Sequence, residues 1–337
     1  MEVVAHHVHQ SVRVVEESQP SAVRFAARTL ADRAGFNEAD SYRAGIVATE
    51  LATNIVKHSA GGEVLLRAAA DDGPELELIA IDHGPGIRDL STALLDGQST
   101  AGSTGTGLGA IRRLSDDFDI YTDIPRGTVV WSRVRARRVS ASPEPFPIAG
   151  ISVATAGETE CGDAWMVQRR SRSVIAMLAD GLGHGHFAAQ AATAALEVLH
   201  SGSYRDCASA LEAVHQGVRH TRGAAAAVVE VQLSARIVKF AGIGNISCVL
   251  LGDRAARQTV SHNGTLGHQV THFREYSYPL DREGLVILHS DGLVSHWSID
   301  SYPGLRVRHP GVIAAVLYRD FNRGRDDVTV VVGREKA

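Results

Sequence analysis

From Arg133 to Gly150 the chain reads RVRARRVSASPEPFPIAG, with prolines at 143, 145 and 147. Proline at alternate positions forbids a helix and favours an extended or polyproline path. A sequence of 337 residues that contains such a break is expected to fold as two bodies. The division runs 1–135, a linker over 136–149, and 150–337. Each part has the length of an ordinary domain, and an apolar fraction of 44% supplies each with a core.

The charge pattern excludes some partners. A net charge of -4 with both signs interspersed makes no basic field for nucleic acid or anionic lipid. Cys161, Cys207 and Cys248 are far apart and show no CxxC spacing, so neither a disulfide framework nor a zinc site is expected. The opening MEVVAHHVHQ lacks the pattern of a signal peptide, and no apolar run reaches the roughly 18 residues of a membrane span. The expectation is a cytoplasmic protein with His6, His7 and His9 in a frayed leader.

In the first part, Ser11 to Val15 reads as a strand and Pro20 to Ala34 as a helix stopped by Gly35. Asn37 or Asp40 opens a second helix running to about His58, with Ala44, Val47, Leu51 and Ile55 as its buried stripe. Glu50, Asn54 and His58 follow one another at i,i+4 steps beside Lys57, so they share a helical edge. A carboxylate, an amide and an ammonium there can serve as general base, Mg²⁺ ligand and phosphate contact, or simply form a solvated face. The apolar run LELIAI (Leu76–Ile81) ends in DHGPGI. An Asp at a strand end, Asp82, can accept a hydrogen bond from an exocyclic amine, and Gly84 and Gly86 let backbone approach a flat ring. The stretch STAGSTGTGLGAIRRL from Ser99 is a glycine-rich loop entering a helix, whose free N–H groups suit polyphosphate. A closing strand, RGTVVWSRV, has Thr128 at its start.

The order ELATN, DHGPG, GTGLG, RGT resembles the Bergerat-fold ATPases, within them the anti-sigma-factor serine kinases and the switch serine kinase of bacterial stressosomes. The resemblance covers about Ser11 to Arg135 and implies a two-layer α/β sandwich that binds ATP. It implies that Asn54 ligates Mg²⁺, that Asp82 holds adenine with help from Thr128, and that Gly105, Gly107 and Gly109 wrap the phosphates. Glu50 would then deprotonate a serine on a partner protein.

In the second part five acidic residues at four places abut apolar strands or tight turns: Asp163 in CGDAWMV, Asp180 after VIAMLA, Asp291 after LVILHS, and Asp326 with Asp327 before VTVVV. One Asp at a strand end is ordinarily a cap or turn residue. Several at the same ends of adjacent strands would repel by roughly 4 kcal/mol per pair at about 4 Å and an effective dielectric near 20, so a cluster persists best around hard divalent cations. Glycines follow Asp180, so the Gly181 carbonyl can also face a metal. His184 and His186 are assigned to the loop and helix start, because imidazole suits an all-oxygen Mg²⁺ or Mn²⁺ site poorly.

With FAGIGNI and HNGTLG between them, these motifs resemble the SpoIIE-type branch of the PPM phosphatases, including the stressosome feedback phosphatase, over about Ile148 to Gly333. The resemblance implies an αββα sandwich holding two Mn²⁺ or Mg²⁺ ions. Asp180 would bridge them, Gly181 would join through its carbonyl, and Asp163, Asp291 and Asp326 would complete the shell with Asp327 behind it. Together the two resemblances imply a kinase and a phosphatase acting on a STAS-domain phosphoprotein, with a sigma factor or a downstream phosphatase as further partners and a homodimer as the assembly. The alternative is a phosphatase whose first domain only binds ATP or sequesters a partner.

Overall fold

In a computed structural model the described residues are 8–69, 73–95, 107–136, 144–252 and 256–335. They form two units that are not contiguous in sequence: His9–Ser142 groups with Ser298–Val316, and the remainder forms the other. No helix among the described residues is long and apolar enough to cross a membrane.

The first unit is a two-layer α/β body. Strands β1 (Gln10–Val14), β2 (Gly62–Ala69), β3 (Glu75–Asp82), β4 (Asp117–Asp123) and β5 (Gly127–Arg135) form one antiparallel sheet in the order β1-β2-β3-β5-β4. Helices α1 (Gln19–Arg33) and α2 (Glu38–His58) pack on it, with the short α3 (Leu90–Ala93) and α4 (Gly107–Leu114) following β3. Asn37 caps α2, its side chain accepting from the Asp40 N–H, which is how the first turn of a helix satisfies its orphan donors. Gly35 takes φ +85°, the left-handed conformation that ends α1 cheaply. The strand period of two sends Leu76, Leu78 and Ala80 of β3 to the helices, where they meet Val47, Leu51 and Ile55.

The other face of this sheet is also buried, around a charged cluster. Glu77 is 1% exposed and Arg67 5%. Arg67 donates to Glu77 Oε2 through Nε at 3.0 Å and NH2 at 2.8 Å, and Trp131 Nε1 donates to Oε1 at 2.6 Å. His9 Nε2 lies 3.1 Å from Oε2 and the residue is 3% exposed. His9 is therefore a core residue and not part of a frayed leader; His6 and His7 lie outside the described residues. Residues 298–316 supply this face with His309, whose ring stacks on Trp131 at 3.6 Å and whose N–H donates to Asp119 at 2.6 Å.

Burial raises the Glu77 carboxyl, but the Arg67 charge and the His9 contacts outweigh it and hold it well below the usual range. A depressed carboxylate stabilises the fold above its unfolded pKa of about 4.5, and that stability is lost as pH falls through the folded value. Glu77→Ala removes the buried carboxylate that Arg67, His9 and Trp131 share, so we predict a loss of about 3–5 kcal/mol in the unfolding of this unit. Urea unfolding followed by circular dichroism checks it, and a loss under about 1 kcal/mol would contradict it.

The second unit contains two five-stranded antiparallel sheets. After β6 (Ile148–Val153), β7 (Asp163–Arg169) and β8 (Val174–Gly181) come α5 (His186–Ser201) and α6 (Cys207–Gly217). Next follow β9 (Ala224–Gln232), β10 (Ile237–Ile243), β11 (Ser247–Leu251), β12 (Arg257–Gln258), β13 (Gly264–Thr265), β14 (Gln269–Val270), β15 (Tyr276–Pro279), β16 (Leu285–His289) and β17 (Val328–Arg334), while α7 (Pro310–Phe321), between β16 and β17, is divided between the two units after Val316. The sheets run β15-β10-β9-β8-β7 and β12-β11-β16-β17-β6, and β13 pairs with β14.

Alternation in β9 shows how the layers are built. Ala225, Ala227, Val229 and Val231 join Leu178, Cys248, Leu288 and Val331 in a core made by both sheets. Ala226 and Val228 face the other way, with Met177, Leu196 of α5 and Leu211 of α6. Phe146, inside the proline-rich segment, is 1% exposed and belongs to the core shared by the sheets.

Candidate functional site

Two clusters of polar side chains stand out, one in each unit. In the first, Glu50 and Asn54 lie one turn apart on α2, and the start of α4 comes against both. A Cβ on Gly107 would fall 2.9 Å from Asn54 Oδ1 and 3.4 Å from Glu50 Oε2, so α4 begins directly against both side chains. Asn54 Nδ2 is buried with no hydrogen-bond partner among the described residues. An amide left unsatisfied at a close-packed glycine turn is costly unless something binds there, and its oxygen is a hard donor suited to Mg²⁺.

Asp82 ends β3, and its Oδ1 accepts from the Gly84 N–H at 2.7 Å and the Thr128 N–H at 3.3 Å. Gly84 is buried so closely that a Cβ would sit 2.8 Å from the His58 carbonyl oxygen, and Gly86 has φ +77°. Thr128 is buried, with its hydroxyl 3.2 Å from that of Thr122, which accepts from Ile87 N–H at 2.8 Å. Gly109 is buried in α4, and Lys57 is exposed on α2. Gly105 lies outside the described residues. Glu50 also lines one end of a groove of about 720 Å³ between α1 and α2, bounded by Arg24, Phe25, Arg28 and Tyr42. Two groupings are thus on view, Glu50 and Asn54 against Gly107 of α4, and Asp82 against Gly84 and Thr128.

In the second unit the acids gather at one edge of the two sheets. Asp163 and Asp180 are direct cross-strand partners in the β7–β8 pairing. Like charges placed directly opposite destabilise a sheet, so the arrangement calls for a counter-charge. Asp291 stands two residues past β16 and Asp326 two residues before β17, and these strands are antiparallel neighbours. Ser290 ties the sheets together: its Oγ donates to Asp163 Oδ2 at 2.6 Å and accepts from the Thr329 N–H at 3.0 Å. Asn245 Nδ2 donates to Asp291 Oδ2 at 2.8 Å.

Asp327 is buried and accepts from the N–H groups of Thr155 (2.7 Å) and Gly162 (2.8 Å), so it fixes the turn that presents Asp163. Gly181 packs against α5, where a Cβ would come within 2.0 Å of the Ala188 carbonyl oxygen. His184 and His186 pair with Glu158 and Glu160 at 2.7 and 3.1 Å. Neither Ser290 nor Asn245 was expected from the motifs, although both sit inside motif strings, SDG and GIGNI.

The electrostatics favour cations. Burial, then the charges of Asp163, Asp291, Asp326 and Asp327, push the Asp180 carboxyl up to about 9. Burial chiefly, with the charges of Asp327 and Asp291, pushes Asp163 to about 7 against the Ser290 hydrogen bond. Among the described residues no three or more His, Cys, Asp or Glu side chains stand close enough together to hold a metal ion by themselves. Oxygen-seeking dications that keep several waters do not require such a group. The donor set is all oxygen, which fits Mg²⁺ or Mn²⁺. Cys161, two residues from Asp163, is buried and its thiol is pushed well above the usual range, first by burial and then by these carboxylates. It does not supply a thiolate nucleophile.

A stability prediction follows. Both carboxyls keep their protons to higher pH when folded than the unfolded value of 3.8. Folding therefore takes up protons between about pH 4 and pH 9, and the metal-free unit loses stability as pH rises through that window. A cation that prefers the ionised carboxylates reverses the trend. At about 100 times its Kd it contributes about 2.7 kcal/mol, or about 5–10 °C for a unit of this size. Thermal melts with Mn²⁺ and with chelator should show a larger Mn²⁺ shift at pH 8 than at pH 5; equal shifts would contradict the reading.

Comparison with known proteins finds two successive matches along the chain. A model of the histidine kinase-like ATPase domain family matches residues 15–134, and one of the stage II sporulation protein E (SpoIIE) family matches residues 170–335. The chain is 36% identical to serine/threonine-protein kinase RsbT of Bacillus subtilis strain 168 over 120 residues, 35% of this chain and 90% of RsbT. It is 23% identical to phosphoserine phosphatase RsbX of the same organism over 138 residues, 41% of this chain and 69% of RsbX. A structure of RsbX in complex with magnesium has a TM-score of 0.50 at 20% identity, covering 58% of this chain and 98% of that one. A chain from a study of the bacterial stressosome has a TM-score of 0.53 at 26% identity, covering 57% of this chain and 100% of its own. A kinase-like ATPase domain is thus followed by a phosphatase domain of the PPM type.

Proposed function

We propose, since this chain belongs to the RsbT-like family of histidine kinase-like ATPase domains and carries a SpoIIE phosphatase domain behind it, that it is a two-way switch for a STAS-domain protein. The first unit phosphorylates a serine of that partner from ATP. The second removes phosphate from serine or threonine with Mg²⁺ or Mn²⁺. The setting is a cytoplasmic stress pathway that ends on a sigma factor, reached directly or through a downstream phosphatase, and the chain acts as a homodimer. The observation that carries the reading is the cross-strand Asp163–Asp180 pair, whose mutual repulsion and burial make chemical sense around dications. The names of RsbT as a kinase and RsbX as a phosphatase support opposite activities for the two halves.

In the kinase half, Asp82 and Thr128 hold the adenine, with Gly84 and Gly86 allowing close approach. Gly105, Gly107 and Gly109, with Lys57, receive the phosphates, and Asn54 holds the accompanying Mg²⁺. Glu50 takes the proton of the acceptor serine, and the groove between α1 and α2 receives the protein that carries it. In the phosphatase half, Asp163, Asp180, Asp291 and Asp326, with the Gly181 carbonyl, hold two cations. When bound, such a pair lowers the pKa of a water and neutralises phosphate oxygens, so no protein nucleophile is needed. Asp327, Ser290 and Asn245 keep the carboxylates oriented, as outer partners of metal ligands do.

The test uses a purified STAS-domain protein, first phosphorylated on serine and incubated with the chain and Mn²⁺, then unphosphorylated with ATP and Mg²⁺. Phosphate release in the first reaction and incorporation in the second are expected. Release without incorporation would reduce the first unit to an ATP-binding or sequestering role. Absence of both reactions would overturn the switch.

A further inference from the structure

We propose that Arg222 is the residue that grips the phosphate of the protein substrate in the phosphatase site, an inference that rests on the phosphatase reading above. The charge balance requires such a group. Five carboxylates (Asp163, Asp180, Asp291, Asp326 and Asp327) outweigh two divalent cations, so a phosphate dianion arriving there meets residual negative charge. A positive side chain at the rim reverses that, most effectively one with the planar fork that matches phosphate oxygens.

The topology puts Arg222 in place. In the β8–β9 pairing Asp180 lies opposite Ala225 and Gly181 opposite Ala224, and the Leu182 N–H then donates to the Gly223 carbonyl at 3.0 Å. Arg222 is therefore carried to the turn that follows Asp180. A Cβ on Gly183, three residues past Asp180, would stand 3.2 Å from Arg222 NH1. On its other side the same turn meets the strand of Asp163: the Gly183 carbonyl oxygen is 3.4 Å from where a Cβ on Gly162 would lie. One short turn thus has the neighbour of Asp163 on one side and a guanidinium on the other.

Arg222 is also held and available. Its guanidinium carbon sits 4.9 Å from the centroid of the Phe187 ring, and its carbonyl accepts from His268 Nε2 at 2.7 Å. Among the described residues no carboxylate pairs with its guanidinium, whereas His184 and His186 in the same turn face Glu158 and Glu160. Arg323, another arginine of this edge, donates to Ser295 Oγ. The aromatic face restrains Arg222 without neutralising it. Beside it Phe187 and Leu182 are 56% and 45% exposed, an apolar margin suited to a protein substrate rather than a small phosphate ester.

The experiment compares wild type, Arg222→Ala and Arg222→Lys with Mn²⁺ on a serine-phosphorylated STAS-domain protein, and measures Mn²⁺ affinity of each by calorimetry. For Arg222→Ala, KM for the phosphoprotein and the inhibition constant for inorganic phosphate should both rise about tenfold or more, the scale of a lost charged hydrogen bond. kcat should hold within about threefold, and Mn²⁺ affinity should match wild type. Arg222→Lys should recover part of the loss, since a point charge replaces the fork. Unchanged KM and phosphate inhibition would overturn the proposal while leaving the phosphatase reading intact. A fall in Mn²⁺ affinity together with kcat would also overturn it, because Arg222 would then support the turn and not the substrate. A wild-type protein that releases no phosphate with Mn²⁺ would instead overturn the phosphatase reading, and this inference with it.

Discussion

Asp180→Asn is expected to lower Mn²⁺-dependent phosphate release by more than about 100-fold, beyond the ~10–100-fold that even outer partners of metal ligands cost when removed. The substitution keeps the shape of the side chain and removes one charge from the centre of the cluster. The Asp180 carboxyl feels four other carboxylates, so it is where a dication gains most and where its absence costs most. The same crowding gives the variant an opposite signature in stability. Without metal, the wild-type carboxyl has to keep its proton up to about pH 9 in the folded state, a cost that Asn does not carry, so the metal-free variant should melt higher than metal-free wild type at pH 8. Added Mn²⁺ should stabilise it less. A variant that is inactive because it is misfolded would melt lower, which separates the two explanations. Residual activity above about a tenth of wild type would remove Asp180 from the bridging role.

Local chemistry made much of this protein legible in its sequence. The helix stripes, the Asn37 cap, the Gly35 stop and the apolar strands ending in acids are short-range patterns, and each appears in the structure near its expected place. The acids could be found because a carboxylate at the end of an apolar strand is conspicuous. Their pairing could not, since the opposition of Asp163 to Asp180 depends on strand register, a long-range property. Ser290 and Asn245 were hidden for a related reason: a hydroxyl or amide near a turn looks like turn chemistry until its partner across the sheets is known.

The Glu77 cluster shows a second kind of blindness. His9, Arg67, Glu77 and Trp131 are spread over more than a hundred residues and meet only on the folded sheet. Each alone reads as an ordinary surface or strand residue. The grouping of Ser298–Val316 with the first unit was equally invisible, because alternation identifies which residues are buried but not which segment buries them. Polar burial of this kind is costly unless every group is paired, and that is the condition Glu77 meets.

Glu50→Gln is expected to cut phosphate incorporation into the acceptor protein by about 10²–10⁴-fold, the usual contribution of a general base. ATP affinity should stay within about threefold of wild type. The groups that would hold the nucleotide remain in place, namely Asp82 with its Gly84 and Thr128 contacts and Asn54 with its unsatisfied amide. Gln fills the same volume, so the close approach of Gly107 to this side chain survives. What the amide cannot do is accept the serine proton. Nucleotide titration and incorporation from labelled ATP, measured on the same preparation, distinguish three situations. Lost incorporation with retained binding makes Glu50 the base. Loss of both makes it part of the pocket's architecture instead. Undiminished incorporation moves the base elsewhere, and His58, about two turns further along α2, becomes the next residue to replace.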